Sequence, residues 1–231
     1  MAIFLEGIPI LVWDLPLRLF HWLLVLAITS AWITAELGGL WLDWHAHFGI
    51  FIFALMVFRI TWGFMGTTYA RFGSFFPTPK RFSDFFSSGW SGFGHSPLGA
   101  LSVFILLGLI LAQAGLGLFA MNDEIEFHGP LYDLVSSSWS ERLTGWHHQL
   151  FNILAILIGM HVMAIGYYTG FKRKNLVLPM ITGKVCVADD MFIPPIRGGG
   201  KIQLLFSITL AGVVFWYIES VAANTHVSCF G

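Results

Sequence analysis

In the run Gly145-Trp-His-His-Gln-Leu-Phe-Asn-Ile-Leu-Ala-Ile-Leu-Ile-Gly-Met-His161, imidazoles stand at both ends of an otherwise apolar stretch. His147 and His161 are fourteen residues apart. An α-helix turns about 100° and rises about 1.5 Å per residue, so this interval returns to within about 40° of the starting face while climbing about 21 Å. One face of one helix therefore offers two nitrogen ligands near opposite sides of a bilayer core about 30 Å thick. His148, thirteen residues before His161, points about 140° away and is the poorer candidate. Ionisable groups inside a membrane helix are costly, and a pair of them on one stripe points to function.

The rest of the chain is as apolar as such a helix requires. Of its 231 residues 56% are hydrophobic and only 11% charged, with a mean hydropathy of +0.75, against about 25% charged in soluble domains. Five stretches are long enough to cross a membrane: roughly 17–37, 46–66, 98–120, 146–169 and 203–222. The first lacks a basic leader and is too long for a signal sequence, so it reads as a retained span. Ser96-Pro97 is a helix start, a capping residue followed by proline at the first helical position. Residues 67–95 and 172–201, rich in Phe, Ser, Pro and Gly, read as irregular connectors. Net charge is −1 and no basic motif for nucleic acid is present. Two cysteines, Cys186 and Cys229, form no C-x-x-C or C-x-x-C-H, which argues against covalent haem attachment and against a cysteine-built metal site.

Lysine and arginine set the expected orientation, because positive residues are retained in the cytoplasm. With the N-terminus inside, Arg18, Arg59, Arg71, Lys80, Arg81, Lys172, Arg173, Lys174, Lys184, Arg197 and Lys201 lie at or near the cytoplasmic side and only Arg142 lies outside. The outer loops instead gather Glu36, Asp43, Asp123, Glu124, Glu126, Asp133 and Glu141. They form either a plain solvated surface or a field that steers a positively charged partner.

This topology sorts four histidines by depth. His45 and His147 open the second and fourth spans on the outer side, whereas His21 and His161 lie toward the cytoplasm. Two imidazoles at equal depth on facing helices are what a six-coordinate haem iron takes, one on each face of its plane. Zinc normally gathers four ligands around a tetrahedron instead. A single intramembrane histidine often does no more than bond a neighbouring helix; four at matched depths are harder to explain that way. His47, on another face of the same helix, remains an alternative to His45. Arg59 follows His45 by fourteen residues and so places a cation at the inner depth, either to pair a haem propionate or raise the inner potential, or to snorkel to the interface. Gly49 leaves the helix bare one turn from His45, room for a flat macrocycle or for a close helix contact. His95, His128 and His226 read as interfacial residues, and Trp13, Trp22, Trp41, Trp44, Trp139 and Trp146 as the aromatic belt.

Arg18-Leu-Phe-His21-Trp22, His45 with Gly49 and Arg59, Gly94-His95-Ser-Pro-Leu-Gly99, and Trp146-His147 with His161 together resemble bacterial di-haem cytochrome b561, a family that includes the cytochrome b subunits of nickel-iron hydrogenases. The resemblance implies an all-α protein of the inner membrane. Residues 1–175 would form a four-helix bundle holding two b-type haems, ligated by His21, His45, His147 and His161. Residues 176–231 lie outside that shared core and read from apolar length as a connector and a fifth span ending in the periplasm. The resemblance also implies a membrane quinone as partner; polarity alone nominates Arg71, Lys80, Arg81 and Tyr168 as its site. The expected task is electron transfer, with a periplasmic cytochrome c drawn to the acidic loops. Rival readings are a hydrogenase anchor, a stand-alone superoxide:quinone oxidoreductase, and a colourless transporter or scaffold.

The topology has a direct test in the two cysteines. In intact spheroplasts a membrane-impermeant maleimide should label Cys229 and reach Cys186 only after permeabilisation; the reverse pattern would invert the orientation.

Overall fold

The computed structural model describes residues 8–89, 94–125, 127–187 and 195–228, with side chains described through Ala223 in the last helix. Glu126, Cys229 and the side chain of His226 lie outside what is described. Among these residues eight α-helices follow in order: α1 (Leu15–Leu37), α2 (Trp41–Met65), α3 (Phe72–Phe75), α4 (Pro79–Ser88), α5 (Pro97–Leu118), α6 (Ser137–Gly170), α7 (Val177–Thr182) and α8 (Lys201–Ser228). Five of them, α1, α2, α5, α6 and α8, are long and apolar enough to span a membrane. All five spans expected from hydropathy are therefore present.

Two of them start earlier than hydropathy suggests. α2 begins at Trp41 and α6 at Ser137, placing His45 and His147 inside helices rather than at their openings. The reason is polarity: Ser137-Ser-Trp-Ser-Glu-Arg is helical yet hydrophilic, and at about 1.5 Å per residue a helix as long as α6 overshoots the hydrocarbon core. Ser96 caps α5 as anticipated, its hydroxyl accepting from the Gly99 amide at 3.2 Å.

The connectors are more ordered than their composition suggests. Residues 67–89 fold into α3 and the amphipathic α4, which begins at Pro79 with Thr78 as its cap. After α6, the short α7 leads into strand β4 (Lys184–Val187), which pairs antiparallel with β1 (Ile8–Leu11) from before α1. On the opposite face a small hairpin joins β2 (Met121–Asn122) to β3 (Phe127–His128). Such short elements take their stability from partners distant in sequence, so no local periodicity announces them.

Packing is led by α2, which lies against α1, α5 and α8, while α6 leans on α5. α1 presents Leu17, Phe20, Leu24, Ala27 and Ala31 at helical spacing, and they interlock with Ile52, Leu55, Met56, Phe58 and Trp62 of α2. The small side chains of Ala27 and Ala31 bring the two backbones close. α6 is different, burying only Ser140 and Leu154. It meets α1 where Trp32 and Phe151 cross rings at 5.5 Å. The fifth span docks at both ends of α2. A bridge joins Thr67 to Gly198, and 2.9 Å separates His47 Nδ1 from Glu219.

One carboxylate organises the basic end of the bundle. Asp14 caps α1 by accepting the Leu17 amide at 2.8 Å, and it also accepts Trp62 Nε1–H at 3.0 Å and the Thr67 hydroxyl at 2.6 Å. Asp14→Ala removes the cap and strands buried donors on two elements, an expected loss of about 2–4 kcal/mol. Unfolding in mixed micelles checks this: Asp14→Asn, which keeps two acceptor pairs, should lose clearly less than Asp14→Ala.

Candidate functional site

His45 and His147 face each other between α2 and α6, their ring centres 6.1 Å apart. The backbone fixes both. His45 donates its Nδ1–H to the carbonyl of Ala31 on α1 at 2.8 Å, and His147 donates its Nδ1–H to the carbonyl of Gln113 on α5 at 3.0 Å. A neutral imidazole carries one proton, so each Nε2 is left with its lone pair. Metal-bound histidines are characteristically held this way, the second nitrogen donating to a carbonyl. Two imidazoles on opposite sides of one metal ion, each with a bond of about 2 Å, hold their ring centres about 6 Å apart. The donor chemistry and the spacing of the outer pair thus fit a haem iron.

His47 is turned elsewhere: its Nδ1 donates to both Glu219 carboxylate oxygens at 2.9 Å. The structure thus brings His45, not His47, to His147. His148 is exposed and lies beside His147. On α2, a side chain at Gly49 would meet nothing within 4 Å, which leaves open space on the His45 face. On α5, by contrast, a Cβ at Gly117 would come within 3.0 Å of His147 Cε1. Gly117 is what lets the imidazole lie against α5, and sequence reasoning passed over it because Gly115-Leu-Gly117 reads as an ordinary small-residue contact.

The second candidate pair is His21 on α1 and His161 on α6. His21 Nδ1 is sealed from solvent with no partner among the described residues, and Trp22 crosses its ring at 5.2 Å. Among the described residues no three His, Cys, Asp or Glu side chains converge.

Arg59 does not snorkel. It is 2% exposed, donates to the Ala70 carbonyl at 3.2 Å, and lies under the Phe72 ring at 4.5 Å. Gly63 makes this possible, since any Cβ there would collide with Phe72. His95 is not interfacial either. Its ring packs against Trp13 at 4.6 Å and Phe75 at 4.5 Å, and its buried Nδ1 has no partner among the described residues. Burial pushes the His95 imidazole down to about 3, and the neighbouring Arg59 guanidinium adds to the effect. Trp13 accordingly belongs to this packed cluster and not to the interfacial belt. A long-range clamp of this kind leaves no local trace in the sequence.

The nominated quinone residues are spread over three parts of the chain. Arg71 precedes α3, and Lys80 and Arg81 lie in the first turn of α4, Arg81 Nη1 donating to the Phe76 carbonyl at 3.4 Å. Tyr168 sits near the end of α6, its ring 5.8 Å from that of Tyr167. No hydrogen bond or ring contact among the described residues joins it to the other three. On the opposite face Asp123, Glu124 and Glu141 line an open cavity of about 350 Å³ with Met121, Asn122 and Thr144. His128 stacks on Tyr132 at 4.4 Å and approaches Asp123 at 3.4 Å.

The sequence profile of the prokaryotic cytochrome b561 family matches residues 12–183. Among curated proteins, the chain is 23% identical to a probable Ni/Fe-hydrogenase B-type cytochrome subunit of Rhizobium leguminosarum bv. viciae, covering 80% of this chain and 92% of that one. It is 25% identical to proteins of the same description from Azotobacter chroococcum mcd 1 and Azotobacter vinelandii, covering 78% of this chain and 89% of each. No solved structure matches.

Gly117→Val should push His147 off its carbonyl and perturb one haem of the purified protein. Gly108→Ala, on the same helix with nothing within 4 Å of the added carbon, should leave the spectrum unchanged. Equal spectra for the two variants would remove Gly117 from the site.

Proposed function

Because the chain belongs to the prokaryotic cytochrome b561 family, whose members are haem b proteins of membrane electron transfer, we propose that it moves electrons across a bacterial inner membrane through two haems. His45 and His147 hold the haem nearer the acidic face, and His21 and His161 hold the one nearer the basic face. Haem supplies the one-electron iron couple, and bis-imidazole ligation leaves no iron position open to oxygen. The protein's share is to fix the spacing of the two irons and to tune them through ligands and surroundings. The observation that carries this reading is the outer pair: two imidazoles from different helices, each with its Nδ1–H committed to a main-chain carbonyl, at the separation a shared metal requires.

The remaining assignments follow from charge. The basic face lies in the cytoplasm. There a membrane quinone docks near Arg71, Lys80, Arg81 and Tyr168, which supply hydrogen-bond donors to its carbonyls. The acidic face lies in the periplasm, where Asp123, Glu124 and Glu141 attract a positively charged redox protein such as a cytochrome c. A second reading is favoured by the description of the relatives: the periplasmic partner is then the electron-donating subunit of a hydrogenase or related oxidoreductase, and it would co-purify with the chain.

Reduced-minus-oxidised spectra give the primary test. The purified chain should bind two haems, His147→Ala and His161→Ala should each bind fewer, and His47→Ala should keep both. Full occupancy in His147→Ala would overturn the ligand assignment. Replacing Arg71, Lys80, Arg81 and Tyr168 together should depress quinone turnover at least tenfold with both haems in place; unchanged turnover would move the quinone site elsewhere. Electron exchange with a basic soluble cytochrome should slow steeply as ionic strength rises above about 0.1 M, where the screening length falls to about 10 Å.

A further inference from the structure

Arg59 and His95 pose a problem that the protein alone does not solve. A guanidinium offers five N–H donors and a permanent charge. Arg59 is 2% exposed, yet among the described residues it has one carbonyl acceptor, the Phe72 ring, and no ion pair within 4 Å. Its nearest source of negative charge, Asp14, spends its oxygens on Leu17, Trp62 and Thr67 and acts on Arg59 only through space. A buried charge without hydrogen-bonded compensation costs several kcal/mol. Beside it His95 packs against two aromatic rings, and its buried Nδ1 has no partner among the described residues.

Their position narrows what the missing partner is. Arg59 lies fourteen residues beyond His45 on α2, the interval that separates His147 from His161 on α6, so it reaches the depth of the His21 and His161 pair. Asp14, which holds this end closed, begins the helix that carries His21 seven residues later. Arg59 at that depth, and the buried Nδ1 of its neighbour His95, have no anionic partner within 4 Å among the described residues, and the haem expected there carries two carboxylates.

We propose that Arg59 and His95 together form a buried seat for a carboxylate, and that its occupant is a propionate of the haem between His21 and His161. The proposal rests on the two-haem reading above. His95 is then a positioning residue: as a neutral imidazole it donates a hydrogen bond that fixes the rotation of the macrocycle about its axis, while Arg59 holds positive charge near the iron. Guanidinium and imidazole recognise any oxyanion, so an inorganic phosphate entering from the cytoplasm is the competing source.

The test uses the full chain, purified with haem made from a precursor that places 13C in the propionate carboxylates. Redox-difference infrared spectra are compared for wild type, His95→Phe, His95→Gln, Arg59→Gln and Arg59→Lys. A 13C-sensitive carboxylate band should move in His95→Phe and Arg59→Gln and return toward its wild-type position in His95→Gln and Arg59→Lys. The midpoint potential of one haem should fall in Arg59→Gln while that of the other stays fixed. If the labelled band ignores all four substitutions while both haems remain bound, the proposal is wrong. A band that moves without 13C sensitivity, or responds to added phosphate, assigns the seat to another anion and also overturns it. Failure of the underlying reading looks different: the wild-type chain would then lack a second haem before any substitution is made.

Discussion

A neutral imidazole has one nitrogen that donates and one that accepts, and in a low-dielectric bundle the donor must be satisfied before the acceptor is free for a metal. The geometry between α2 and α6 depends on meeting that condition with main-chain carbonyls. Ala31 and Gln113 belong to helices that do not carry the imidazoles they accept from. The tautomer of each histidine is therefore set by how closely helices pack, not by a side chain that a neighbouring substitution could replace. Ala27 and Ala31 allow α1 to approach α2, and Gly117 allows His147 to reach α5. Small residues here serve the orientation of the rings as much as the packing of the helices.

The two ends of the bundle solve different electrostatic problems. At the acidic face His45 and His147 find neutral main-chain acceptors, and Asp123, Glu124 and Glu141 line a cavity that water reaches. At the basic face Asp14, Arg59 and His95 are carried inside, under a lid made of α3, Phe72 and Phe75. Asp14 is fully hydrogen-bonded by groups from three separate parts of the chain, so its burial strengthens the fold. Among the described residues Arg59 and the His95 Nδ1 gain no such closure, which sets that end apart.

Much of this was legible in the sequence, and the limits have physical causes. Five spans follow from apolar length alone, and the fourteen-residue intervals at His147–His161 and His45–Arg59 place matched groups at matched depths before any contact is known. Helix starts at Trp41 and Ser137 were hidden because hydropathy reports the hydrocarbon core, whereas backbone hydrogen bonding continues into polar turns. Choosing between His45 and His47 needed partners on other helices, Ala31 in one case and Glu219, 172 residues away, in the other. His95 was misread because a Gly-His-Ser-Pro segment looks like exposed loop, and only tertiary closure puts Trp13 and Phe75 on either side of it. The pairing of β1 with β4 was invisible for the same reason.

That pairing bears on how the molecule is made. Leu11 cannot meet Lys184 until α1, α2, α5 and α6 have all been threaded into the bilayer. The first strand to leave the ribosome is therefore among the last to find its place, waiting at the membrane surface while the helices gather beside it. Once formed, the two-stranded ribbon ties the start of α1 to the chain beyond α6.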